Sequence, residues 1–292
     1  VAIKFLFDDA SSNPEVAARF TREGRAAAKI ESEHVVRVMD VGAEAGVPYL
    51  VMEYLEGSDL AAMVRREGAL PVTDCVRFVR EACEAIAEAH GAGIVHRDLK
   101  PANLFVVTRK NARSIVKVLD FGISKLSGDD LALTATGAIF GSPLYMSPEQ
   151  VRASRDIDAR TDIWSLGVIL YEILVGKPPF DGTSLAALTE GIQRATPPTP
   201  TALRPEVPAA LSAVVMRCLA KAPEDRWPSV EDFARALETA ASTPASGGVS
   251  ALASTMPLPP AGDAAPAPAP PLAEAPAGAG VRASDAPRPA AL

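Results

Sequence analysis

"IVHRDLKPANLFV", residues 94–106, sets His96, Arg97, Asp98, Lys100 and Asn103 within eight positions, between apolar runs that read as buried structure. Burying polar groups costs free energy unless each finds a partner, so such a cluster needs a reason. The residues before it, "TDCVRFVREACEAIAEAHGAG" (73–93), place Val76, Val79, Cys83, Ile86 and Ala87 on one helical face, with Gly91 and Gly93 at the exit. After it come two short strand patterns, "NLFVV" (103–107) and "SIVKVLD" (114–120). The polar run therefore occupies a turn between a long helix and a strand, where rigid neighbours commonly hold catalytic groups.

Farther along, "KVLDFGISK" (117–125) puts Asp120 directly after a strand. Acids and an Asn projected from adjacent strand ends can give oxygen ligands to a hard cation such as Mg²⁺, and Asp98 then remains for a proton. Lys4, in the strand pattern "VAIKFLF" (1–7), and Glu23, in the helix pattern "NPEVAARFTREGRAAAKI" (13–30), offer a cation and its holder. Together these charges suit phosphoryl transfer. In the helix pattern Asn13 is the predicted cap, Pro14 the first helical residue, and Phe20, Gly24 and Ala27 the packed face.

"HVVRVMDVG" (34–42) and "VPYLVMEYL" (47–55) read as further strands, and Thr161–Val175, Leu185–Arg194, Ala209–Ala220 and Val230–Ala240 as helices. A β-rich portion followed by an α-rich one predicts an α+β fold rather than an alternating parallel sheet. With 48% hydrophobic and 22% charged residues the chain can bury a sizeable core. The net charge of -7, with Lys and Arg scattered among acids, argues against nucleic acid as a partner. Cys75, Cys83 and Cys218 lack metal-ligand spacing and read as reduced, packed thiols. The most apolar window, "IWSLGVILYEILVG" (163–176), is short of the roughly 20 residues a bilayer needs and contains Glu172, so it reads as a buried helix. From Ser242 the chain is Pro, Ala, Gly and Ser without an aromatic, a composition expected of a disordered linker.

In order, "VAIK" (1–4), "HRDLKPAN" (96–103), "DFG" (120–122), "SPE" (147–149) and "DIWSLG" (162–167) resemble the Hanks-type, eukaryotic-like serine/threonine protein kinases of bacteria. The resemblance covers residues 1 to about 240. It implies a two-lobed fold: a kinase catalytic domain over 1–241 with a small lobe at 1–52, a hinge at 53–57 and a helical large lobe at 58–241, before a linker at 242–292. It implies Asp98 as the base for the substrate hydroxyl, Lys100 on the transferring phosphate, and Asn103 and Asp120 on Mg²⁺. Lys4, paired with Glu23, would grip the ATP phosphates, and backbone groups of Glu53 and Leu55 would meet adenine, with Met52 bordering the pocket.

By the same resemblance Lys100, two residues after Asp98, together with Ser142, implies Ser and Thr as acceptors. Arg97 implies regulation by phosphate on Thr134 or Thr136. His96 is expected to pack against Phe121, Asp162 to anchor the catalytic loop, and Arg226 to pair with Glu149. The partners implied are protein substrates bearing Ser or Thr, and a homodimer for autophosphorylation. No membrane contact is expected within the chain, and the location expected is the cytoplasm or the cytoplasmic part of a membrane-anchored protein. The family's Gly-rich loop precedes the strand lysine, and only three residues precede Lys4. Truncation is the expectation, because Lys4, Asp98, Asn103 and Asp120 are all present. The alternative is a pseudokinase scaffold that binds partners without transfer.

Overall fold

The computed structural model describes residues 1–6, 14–109, 112–121, 142–154 and 157–242. Asn13, Thr134, Thr136 and the expected linker from residue 243 onward lie outside them. Strands β1 (Ala2–Phe5), β2 (Val38–Glu44) and β3 (Val47–Met52) form an antiparallel sheet in the order β1-β3-β2. Helix α1 (Pro14–Ala27) buries Val16, Phe20, Gly24 and Ala27, spaced at helical intervals. It lies so close to β3 that a side chain at Gly24 would meet Leu50 Cδ2 at 2.4 Å.

A second antiparallel sheet joins β4 (Gly57–Asp59), β5 (Leu104–Val107) and β6 (Ile115–Val118) in that order. The sequence reading missed β4 and the helix after it, α2 (Leu60–Glu67). The signals for α2 are local: Asp59 caps it by accepting from the Ala62 N–H at 2.8 Å, and Gly68, at φ 72°, ends it. Gly57, at φ 153°, brings the chain so near β5 that a Cβ there would stand 2.0 Å from the Val106 carbonyl oxygen.

The large lobe is built on α3 (Val72–Gly91) and α5 (Arg160–Val175), with α4 (Pro148–Val151), α6 (Leu185–Arg194), α7 (Pro200–Leu203), α8 (Ala209–Cys218) and α9 (Val230–Ser242) around them. Helix α5 is buried over most of its surface between Thr161 and Leu174, as its largely apolar sequence predicts. Among the described residues no helix is long and apolar enough to cross a membrane. The three cysteines are free and buried.

Strand β6, which ends just before Asp120, is clasped from several sides. Val35 bridges to Val118, and the Val118 N–H donates to the His34 carbonyl at 2.8 Å. Glu81 of α3 accepts from the Val116 N–H at 2.7 Å, and Lys117 Nζ lies 2.7 Å from Glu53 Oε1. The small lobe, the connection at 53–56 and the large lobe thus meet on one strand.

Candidate active site

The loop between α3 and β5 is held from inside the large lobe. Asp162, in the first turn of α5 and fully buried, accepts from the His96 N–H at 2.9 Å and the Arg97 N–H at 2.8 Å. His90 Nε2, at the end of α3, lies 2.8 Å from the same carboxylate. A buried carboxylate with three donors is satisfied, and it fixes the loop backbone where Arg97 takes a positive φ of 64°. His96 Nε2 lies 2.9 Å from the Leu119 carbonyl, and its ring stands 4.9 Å from that of Phe121. Imidazole and phenyl therefore tie the loop to the end of β6, and His96 packs as the sequence predicts.

Asp98 follows, 6% exposed. Its Oδ2 lies 2.9 Å from Lys100 Nζ, and its carbonyl accepts from Asn103 Nδ2 at 2.9 Å. Asn103 also receives the Leu119 N–H on its own carbonyl at 2.9 Å, which sets it beside the entry to Asp120. Because Asn103 donates through Nδ2, its Oδ1 remains an acceptor. Asp120, at φ 57°, sits two residues past the end of β6. The structure therefore gathers Asp98, Lys100, Asn103 and Asp120 around one short stretch of backbone.

Lys4 reaches the same place, with a different partner from the one expected. Its Nζ lies 2.8 Å from Asp120 Oδ1, whereas Glu23 pairs with Arg19 at 3.0 Å. The pairing of Lys4 with Glu23 is thus corrected: Arg19 stands one helical turn before Glu23 and supplies the nearer cation. The second oxygen of Glu23, Oε2, is buried without a hydrogen-bond partner.

In the connection between the lobes, the Glu53 N–H donates to the Arg37 carbonyl at 3.0 Å, and Glu53 Oε1 accepts from the Arg37 N–H at 2.8 Å. Among the described residues no backbone hydrogen bond uses the N–H of Leu55.

Ser142–Tyr145 form a 3₁₀ turn that precedes α4. Ser147 caps α4 in a reciprocal box with Gln150, and its hydroxyl lies 2.8 Å from that of Thr161. Glu149 meets Arg226 in a two-pronged pair, both contacts 2.7 Å, and Arg226 also donates to the carbonyls of Ala220 and Arg160. Burial pushes the Glu149 carboxyl up, but the hydrogen bonds and charge of Arg226 outweigh it and hold the pKa below the ordinary value. Tyr145 donates to Glu172 at 2.8 Å, and burial keeps the Glu172 carboxyl above its usual range against that bond.

The sequence reading missed His90, Lys117 and Gln150 as parts of this frame. A histidine in the last turn of a helix, two glycines before a polar loop, was the available signal for His90. Lys117 and Gln150 carry none beyond standing beside the motifs.

The pattern that defines the protein kinase domain matches residues 1–237. The serine/threonine-protein kinase Pkn1 of Myxococcus xanthus is 43% identical over 240 residues, 82% of this chain and 34% of that protein. The serine/threonine-protein kinase PknB of Mycobacterium leprae is 39% identical over 237 residues, 80% of this chain and 37% of its own length. The chain thus spans about a third of the length of these curated relatives. Among solved structures, the kinase domain of PknI from Mycobacterium tuberculosis superposes with a TM-score of 0.63 at 29% identity, covering 82% of this chain and 84% of that one. With the whole catalytic-loop geometry in place and the family pattern running through both lobes, the chain belongs to the protein kinase domain family.

Proposed function

We propose that residues 1–241 form a catalytic domain that transfers the γ-phosphate of ATP to Ser and Thr hydroxyls of proteins. The observation that carries this reading is Asp98: nearly buried, 2.9 Å from Lys100 Nζ, and fixed through its carbonyl by Asn103. A carboxylate so held accepts or orients the proton of a substrate hydroxyl, while Lys100 beside it offsets charge on the transferring group. Alignment and charge neutralisation are what this chemistry requires of a protein.

Asn103 Oδ1 and the Asp120 carboxylate are hard oxygen donors, a set that fits Mg²⁺, which takes few protein ligands and shares itself with phosphates. Bound there, Mg²⁺ would neutralise phosphate charge. On this reading Lys4 leaves Asp120 for the ATP phosphates. The Glu53 carbonyl and the Leu55 N–H meet adenine. Phosphate on Thr134 or Thr136 pairs with Arg97 and orders the activation segment.

We assign residues 242–292 as a linker, and a second copy of the chain as the partner in autophosphorylation. The cytoplasm, as a free protein or as part of a membrane-anchored one, is the location that suits an ATP-dependent kinase. Nothing in the site favours a scaffold without transfer, since Lys4, Asp98, Asn103 and Asp120 all stand in the frame.

Incubation with γ-labelled ATP, Mg²⁺ and peptides carrying a single Ser, Thr or Tyr tests the reading. Label should enter the Ser and Thr peptides and vanish when the metal is chelated. Label in the Tyr peptide alone, or none with metal present, contradicts it.

A further inference from the structure

We infer that Gln150 is a positioning residue for Asp98, acting through the carbonyl of Arg97. The inference rests on the proposed kinase activity for its consequence, and on geometry for its substance. Gln150 Nε2 donates to the Arg97 carbonyl oxygen at 2.8 Å, and Gln150 Oε1 accepts from the Ser147 N–H at 3.0 Å. One side chain thus spans the cap of α4 and the loop that presents Asp98.

The Arg97 carbonyl and the Asp98 N–H belong to a single planar peptide unit. Gln150 holds its oxygen edge, and His96 Nδ1, 3.3 Å from the Asp98 nitrogen, holds its hydrogen edge. Arg97 stands at φ 64°, a left-handed backbone that a non-glycine residue keeps only when its surroundings impose it. Its N–H is fixed by Asp162 at 2.8 Å. Without the bond from Gln150 only the longer contact to His96 still holds this peptide unit, so the left-handed Arg97 can relax toward an ordinary conformation and tilt the Asp98 carboxylate with it.

The anchor on the other side is firm. Helix α4 is tied to the large lobe by the buried pair of Glu149 with Arg226 and by the contact of Ser147 with Thr161. Gln150 therefore carries the rigidity of that core to the residue proposed as base, by a path independent of Asp162.

Gln150→Glu separates this role from plain helix capping. The introduced carboxylate still accepts from the Ser147 N–H and completes the capping box, but it has no donor for the Arg97 carbonyl. Amide hydrogen exchange at Arg97 and Asp98 should accelerate by about tenfold at pH 8 while that of α4 stays put. In the transfer assay kcat should fall about tenfold with the KM for ATP within about twofold. Exchange at Asp98 within about twofold of the unaltered protein overturns the inference, and so does a kcat equal to that of the unaltered protein. If the unaltered protein transfers no phosphate, the kinase reading fails on its own, and the exchange rates still decide whether Gln150 holds the loop.

Discussion

Two ion pairs of nearly equal length mark two regions that work differently. Arg226 and Glu149, 2.7 Å apart in the large lobe, have side chains 0% and 6% exposed, and the guanidinium also reaches backbone carbonyls. Lys4 and Asp120, 2.8 Å apart where the small lobe meets β6, are 33% and 26% exposed and joined by a single contact. The first pair has shed its water, so removing either partner strands a buried charge. The second keeps water at hand, so its members can change partners at little cost. Fixed charge frames the loop that carries Asp98, and exchangeable charge waits where a nucleotide would bind.

This contrast can be broken by substitution. Arg226→Ala should cost about 3–5 kcal/mol of unfolding free energy, because Glu149 is left buried and unpaired. A loss under about 1 kcal/mol in urea titration would show the pair to be solvated after all.

Acid should sharpen the same difference by a smaller amount. The Glu149 pKa lies below its ordinary 4.5, so the stability it contributes is full above that value and is lost as pH falls through the lowered one. Stability curves of the unaltered protein and of Arg226→Ala should therefore converge as the pH drops below about 4.5. Curves that run parallel there would remove Glu149 as the linked group.

Lys4→Met should change stability least, by about 0–1 kcal/mol, yet reduce phosphoryl transfer roughly a hundredfold or more. Equal losses of stability for Lys4→Met and Arg226→Ala would erase the distinction between the two regions.

Much of the frame is legible in the sequence because it consists of contiguous motifs and strong periodicities. The run through Asp98 and Asn103, the strand before Asp120 and the largely apolar α5 each declare themselves locally. Helix α2 is hard to read because only Leu60 and Val64 are fully buried, too short a stripe to stand out, although Asp59 and Gly68 bracket it. The partner of Lys4 was not legible: which carboxylate its ammonium meets depends on where β1 lies relative to β6, and no spacing along the chain encodes that. Gln150 escapes for a similar reason, since its amide acts on a carbonyl from another part of the sequence.

On the proposed mechanism the buried carboxylate of Asp98 handles the substrate proton inside a frame that stands without it. Single-turnover phosphoryl transfer by Asp98→Asn, alongside its unfolding midpoint, tests this most directly. The expected rate is lower by about 10²–10⁴-fold, with a midpoint close to that of the unaltered protein. Transfer by Asp98→Asn at a rate near that of the unaltered protein would contradict it.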